Sequence, residues 1–541
     1  MRRRRKRIAA APPAPWEWLR ARHSPAAEAL DRLMAAGAMT EVDYARIGNA
    51  LEPFRDADDD QALAAVLDRV SAEGAAALVH HSGQRALPGR LMAQHNLAYG
   101  QVRLGAVART ASSRGSGGAD FAVDQDALRT SMLVIGPPGS GKTRGFALPI
   151  IEHLSLGALA GQSSVVVIDP KGDDFGLPGW FDATVDLHDP GVGFDLYGGA
   201  ATPESAADRL ASALLPSQTS DDLAYFMDGS RNALHRCLSP FHEAFGRYPA
   251  VRELLALLRS EQGAVDRVKS ELKGPGGKAM RALLDERRLQ ARGSHDAAAG
   301  MVERLSLLDR PKLAALLDGP GPKFQMSGID AGARVRFALD ESEYPDASRI
   351  LARLAVAQFV QVASSSRTNR NLFKGLVIDE AGRFVDEYVA RGVQRLRSNN
   401  AGLVLLSQSI ADFPEAFRNS IFGAAGCKAV FGAVDPDDAE QFSRSFGEEW
   451  IAEVTVSGSV ERGETRSWSS TTDAGELFPR SYQKGRNRSA SESSGFSHRK
   501  VERARWTPSD IMTGLPTGRC LAVLTGSDGR RFGPVEVDLR A

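Results

Sequence analysis

Ser131-Met132-Leu133-Val134-Ile135-Gly136-Pro137-Pro138-Gly139-Ser140-Gly141-Lys142-Thr143 runs an apolar strand straight into G-x-x-x-x-G-K-T, and a helical pattern follows. This order predicts a nucleoside triphosphate site. Gly136, Gly139 and Gly141 let the backbone curl so that its N–H groups line a nest around phosphate, and the helix N-terminus adds its positive dipole end. Pro137, Pro138 and Ser140 complete the loop. Lys142 is expected to reach the β- and γ-phosphates and Thr143 to ligate magnesium, so ATP and Mg²⁺ are the expected cofactors.

Outward from this loop, Ser164-Val165-Val166-Val167-Ile168-Asp169 is a β-branched run ended by Pro170-Lys171-Gly172, as expected of a parallel strand buried on both faces. Asp169 is placed with the nucleotide-binding residues. Leu376-Val377-Ile378-Asp379-Glu380 is a second apolar strand, ending in two carboxylates. Asp379 is assigned to the magnesium shell, and Glu380 to orienting and deprotonating the attacking water. Leu403-Val404-Leu405-Leu406-Ser407-Gln408-Ser409 ends a third strand on an amide, and Gln408 is assigned to sensing the γ-phosphate. Between these two strands lies the basic segment Arg391 to Asn399. Arg397, with Arg395 as the alternative, is the candidate for reaching a neighbouring subunit's γ-phosphate, which requires a ring; a solvated helix face is the competing reading.

The rest of the chain surrounds an α/β core. Its 541 residues carry 67 Lys plus Arg against 67 Asp plus Glu, so bulk charge offers no argument for nucleic acid and any basic site has to be local. Cys237, Cys427 and Cys520 lack the paired spacing of a zinc site and fit a reducing compartment. No stretch reaches the ~18 consecutive apolar residues of a membrane span. A cytoplasmic protein, peripheral at most to the inner face of the membrane, is therefore expected. Residues 1–95 read as a basic tail, Met1 to Arg7, followed by short amphipathic helices, with the acidic run Asp58 to Asp60 capping one of them. The tail is expected to be a solvated terminus, with phosphate or anionic lipid as its other possible partner. The nucleotide-binding core is expected over 96–201 and 322–541, interrupted at 202–321 by an all-helical domain rich in Ala, Leu, Arg and Glu. Residues 456–505, dense in Ser, Arg, Gly and Glu, are expected to be a mobile segment.

As an ordered set these features resemble the conjugative coupling proteins of type IV secretion, the TraG/TraD type within the FtsK and HerA motor superfamily. The resemblance rests on Gly100-Gln101-Val102-Arg103-Leu104-Gly105, the phosphate loop with Pro149 beyond it, Asp169-Pro170-Lys171-Gly172, Ile378-Asp379-Glu380, Gln408, and Trp506-Thr507-Pro508-Ser509-Asp510-Ile511 leading to Leu515-Pro516-Thr517-Gly518. It implies a RecA-like P-loop core with an inserted all-α domain, and a homo-hexameric, DNA-stimulated ATPase. Such an enzyme recruits a relaxase or other secreted substrate and drives DNA, single- or double-stranded, through a secretion channel. Two departures stand out. The family's N-terminal transmembrane helices give way to a helical segment, so a separate inner-membrane partner is expected, and Asp173 stands where the family carries Glu. The same motor also suits a soluble translocase in DNA processing or mobile-element defence. A third reading is an ATP-controlled receptor or scaffold with little translocation.

Overall fold

The computed structural model describes residues 14–541 apart from 58, 91–92, 111–112, 114, 190, 199, 216–220, 294–295, 462–464, 474–480 and 488–492. The basic tail, Met1 to Arg7, lies outside the described residues.

The apolar runs of the sequence become the centre of a 12-stranded sheet. Cys427–Phe431, Met132–Ile135, Ala401–Ser407, Phe373–Ile378, Ser163–Asp169, Arg334–Ala338 and Ala183–Asp186 lie side by side in that order, every neighbouring pair parallel. Beyond Cys427–Phe431 the sheet continues antiparallel through Arg519–Thr525, Arg531–Asp538 and Gln101–Val107. The phosphate-loop strand and the carboxylate strand are thus separated only by the glutamine strand Ala401–Ser407.

Side-chain alternation explains why these strands are apolar throughout. Leu133, Ile135, Val166, Ile168, Leu376, Ile378, Leu403 and Leu405 face one core, shared with helices Pro203–Leu214 and Pro345–Ala363. Met132, Val134, Val165, Val167, Val377, Val404 and Leu406 face the other, shared with helix Leu148–Leu159. That helix is buried on all sides, which is why its sequence, Leu-Pro-Ile-Ile-Glu-His-Leu-Ser-Leu-Gly-Ala-Leu, shows no polar stripe.

Between strand Gly193–Phe194 and strand Lys323–Phe324, the described residues are helical, from Pro203–Leu214 to Pro311–Asp318, with no strand among them. Their buried leucines join the first of the two cores. Near the N-terminus, helices Arg20–Ala35, Glu41–Leu51 and Asp60–Glu73 pack around Trp16 in a separate cluster. Asp59 caps the last of these through Ala62 N–H at 3.0 Å. Among the described residues, no helix is long and apolar enough to cross a membrane.

Within 456–505, expected to be a mobile segment, 462–464, 474–480 and 488–492 lie outside the described residues and the rest includes strands. Strands Glu448–Glu461, Thr465–Asp473, Ser481–Asn487 and Ser493–Ala504 form a 4-stranded antiparallel sheet. A low apolar content argues against a packed core. It does not prevent strands, because Ser, Thr and Val alternate here and backbone pairing needs no apolar face of its own.

Candidate functional site

All the motif residues assigned to phosphate, metal and water sit where parallel strands end. The loop after Met132–Ile135 places Gly139 and Gly141 at φ +74° and +111°, backbone that glycine adopts without strain. Thr143–Ala147 continues as a π-helical turn into helix Leu148–Leu159. Pro138 and Gly139 are exposed at the crest, whereas Ser140 and Lys142 are buried beneath it. Lys142 Nζ folds back to donate to the carbonyls of Gly136 and, at 3.2 Å, Pro137. Burial holds its pKa below the usual lysine value, against the opposing pull of Glu380 and Asp379. Ser140 Oγ is buried with no hydrogen-bond partner among the described residues.

The carboxylate strand ends on Asp379 and Glu380, near enough for both charges to act on Lys142. Asp379 is 3% exposed and accepts Glu380 N–H at 3.0 Å. Burial first, and the neighbouring Glu380 charge after it, raise its pKa to about 6. Glu380 adopts the left-handed conformation, φ 48° and ψ 41°, uncommon for a residue with a side chain. That turn aims its carboxylate toward the next strand, where Gln408 Nε2 donates to Oε1 at 3.2 Å and Oε2 at 3.1 Å.

An orphaned hydroxyl, a lysine bonded only to loop carbonyls that phosphate can replace, and a buried carboxylate whose charge reaches that lysine make a set of polar groups with room for new partners. It suits Mg²⁺ and a triphosphate.

Asp169, expected among the nucleotide contacts, is bonded within its own turn and to Arg336. Fully buried, it accepts Arg336 Nε at 3.0 Å and Nη2 at 2.8 Å, Gly172 N–H at 3.1 Å and Phe175 N–H at 3.2 Å. With these four donors it braces the Pro170-Lys171-Gly172 turn. Burial nevertheless leaves its pKa above the ordinary aspartate value, against the pull of Arg336. A carboxylate at a strand end reads the same in sequence whichever partner it meets, and Arg336 is 167 residues away.

Arg397 and Arg395 are also apart from the site within the chain. Both precede the strand Ala401–Ser407, at the end opposite Gln408, and seven residues of strand span ~20 Å. There they line a cavity of about 780 Å³ with Arg129 and Ser527. Arg129 is a third arginine that sequence reading did not single out.

Asp412 was missed as well. It accepts Ser407 Oγ at 2.9 Å, Gln408 N–H at 3.1 Å and Ser409 N–H at 2.9 Å, and so fixes the loop that presents Gln408. The capping pattern Ser409-x-x-Asp412 was its available signal.

Residues 375–513, which include Asp379, Glu380 and Gln408, match the family model described as the TraM recognition site of TraD and TraG. The resemblance to the TraG/TraD-type family is borne out. The unbound monoclinic form of the bacterial conjugative coupling protein TrwBdeltaN70 aligns with a TM-score of 0.52 at 18% identity, covering 78% of this chain and 87% of that one. Plasmid coupling protein TrwB in complex with the GTP analogue GDPNP aligns with a TM-score of 0.51 at 18% identity, covering 80% and 88%. TrwB in complex with ADP and Mg²⁺ gives 0.51 at 18%, covering 77% and 87%. No curated protein matches the sequence. At these identities the TraG/TraD-type likeness to solved structures is one of fold: a RecA-like P-loop core with an all-α domain, as expected from the sequence.

Proposed function

We propose that this chain is a Mg²⁺-dependent ATPase of the coupling-protein kind, turning ATP hydrolysis into movement of DNA, with a bound relaxase or other cargo, toward a secretion channel. The observation that carries the reading is the Glu380 carboxylate, held by Gln408 across from the Lys142 loop. The nucleotide and Mg²⁺ named for the TrwB complexes support it.

In this reading the loop amides and Lys142 hold the triphosphate, Ser140 Oγ gains the partner it lacks, and Thr143 and Asp379 hold Mg²⁺. When bound, the ion neutralises charge on the β- and γ-phosphate oxygens. Glu380 accepts a proton from the attacking water as the oxygen of that water bonds to the γ-phosphorus. The bond from that phosphorus to the bridging oxygen breaks, and ADP leaves with its electron pair. Gln408 bridges Glu380 and the γ-phosphate position and so reports loss of the phosphate.

Arg397, on the far end of the sheet, serves a neighbouring subunit, which makes the active species a homo-hexameric ring. The domain division that accompanies this reading is 1–95, a core of 96–201 with 322–541, and a cargo-facing helical domain at 202–321.

Two substitutions test the site. Lys142→Ala removes nucleotide affinity, whereas Glu380→Gln binds nucleotide normally and stops turnover, measured by fluorescent-nucleotide titration and by phosphate release with and without DNA. Equal ATP affinity in wild type and Lys142→Ala rejects the phosphate-cradle assignment, and phosphate release indifferent to DNA rejects the motor.

A further inference from the structure

Lys171 is a cation near the carboxylates that this mechanism leaves without a task. It sits at the tip of the Pro170-Lys171-Gly172 turn, whose backbone is pinned from several directions. Asp169 accepts Gly172 N–H, the Asp169 carbonyl accepts Leu339 N–H at 3.0 Å, and the Pro170 carbonyl accepts Glu341 N–H at 2.8 Å. The side chain is half exposed, so folding does not require its charge there. Its ammonium nevertheless stands between two carboxylates, 2.8 Å from Asp174 Oδ2 and 3.9 Å from Glu380 Oε1.

We propose that Lys171 is a positioning residue for Glu380: tethered by Asp174, its ammonium stands near Oε1 of the carboxylate that Gln408 also holds, and helps to keep it in the orientation that meets water. This rests on Glu380 being the general base. Glu380 has to stay aimed beside a second carboxylate, Asp379, that repels it, and Gln408 holds it through a single amide nitrogen. A cation beside Oε1 opposes that repulsion and restricts the side chain's rotation. The division of labour between Lys171's partners follows from distance. The closer Asp174 keeps the ammonium from swinging into the phosphate loop, where Lys142 already stands, and the longer contact leaves Glu380 able to take a proton. The rigid turn, held by Asp169 and Arg336, is what makes this aim reproducible.

The test uses the full-length protein. Lys171→Met is expected to lower kcat about tenfold or more, since a misaimed base loses rate steeply, while affinity for a fluorescent non-hydrolysable ATP analogue stays within about twofold. Lys171→Arg, which keeps a cation on a similar stem, is expected to restore most of the rate, and Asp174→Asn to produce a smaller loss in the same direction. The deciding measurement is a double-mutant cycle: in a Glu380→Gln background, Lys171→Met is expected to change residual single-turnover hydrolysis no further. Additive losses, or a loss of nucleotide affinity matching the loss of rate, overturn the proposal, the second by making Lys171 a phosphate ligand. Wild-type turnover in Lys171→Met beside an inactive Glu380→Gln removes this inference alone. Wild-type turnover in Glu380→Gln removes the base assignment together with it.

Discussion

Glu380 spends backbone energy to be where it is: a non-glycine residue at φ 48° costs of order 1 kcal/mol or more, and the surrounding contacts have to hold it. Two residues on, Gly382 shows how tightly the turn is held. A Cβ added there would stand 2.4 Å from Asp412 Cβ and 2.9 Å from the Asp412 backbone carbon, and Asp412 is the residue that fixes the Gln408 loop. Gly382→Ala therefore pushes the carboxylate turn and the glutamine loop apart. The expected outcome is a loss in kcat of about tenfold or more with nucleotide affinity retained, because the phosphate loop lies on a different strand. Steady-state kinetics beside nucleotide titration checks it, and unchanged kcat refutes the close-approach argument.

Helix Glu387–Arg395 leads toward the arginine pair, and its start is built on Asp386, which accepts Tyr388 N–H at 2.9 Å and Val389 N–H at 3.1 Å. Burial raises the pKa of this capping carboxyl to about 6, against the lowering effects of those two bonds and of Arg353. The sign of the linkage follows. Below pH ~4 both folded and unfolded states hold the proton, and as pH rises toward 6 the unfolded chain releases it first, so stability falls across that window and stays lower above it. Asp386→Asn keeps the capping oxygen and removes the charge. Relative to the variant, the wild type is expected to lose up to about 3 kcal/mol between pH 4 and pH 6.5, read as diverging thermal midpoints. Parallel midpoints across the window contradict a buried, titrating cap. At the same scale, strands within 456–505 show that element type follows backbone pairing where composition alone suggests a loop.

For the whole molecule, the separation of Arg397 from Gln408 along one strand means that a lone chain cannot complete the proposed site. Mixing Arg397→Ala subunits with Glu380→Gln subunits should then regain activity, since some interfaces pair a wild-type Arg397 with a wild-type Glu380. An arginine finger is worth ~10³-fold or more in rate, so a minority of repaired interfaces stands above either parent. Full activity at concentrations where sedimentation detects only monomer excludes the ring. With zero net charge, the proposed DNA contact has to come from local basic clusters acting on the backbone. Affinity is expected to fall steeply with salt and to vary little with sequence, and salt-independent binding runs against a translocating channel.

The phosphate loop, the buried parallel strands and the Asp379-Glu380 pair were legible in the sequence because each is a local pattern. A glycine loop between an apolar strand and a helix, or two carboxylates ending a β-branched run, states its geometry within a dozen residues. Gln408 was legible by its place at a strand end. What only the tertiary structure decided are the pairings across long separations. Asp169 meets Arg336 and becomes a brace, Lys171 comes within reach of Glu380, Asp412 fixes the glutamine loop, and Arg397 falls at the opposite end of its strand from Gln408. A carboxylate or a cation carries no mark of its partner, since charge acts through space. The order in which strands enter the sheet, set by burial of both faces at once, determines which charges meet.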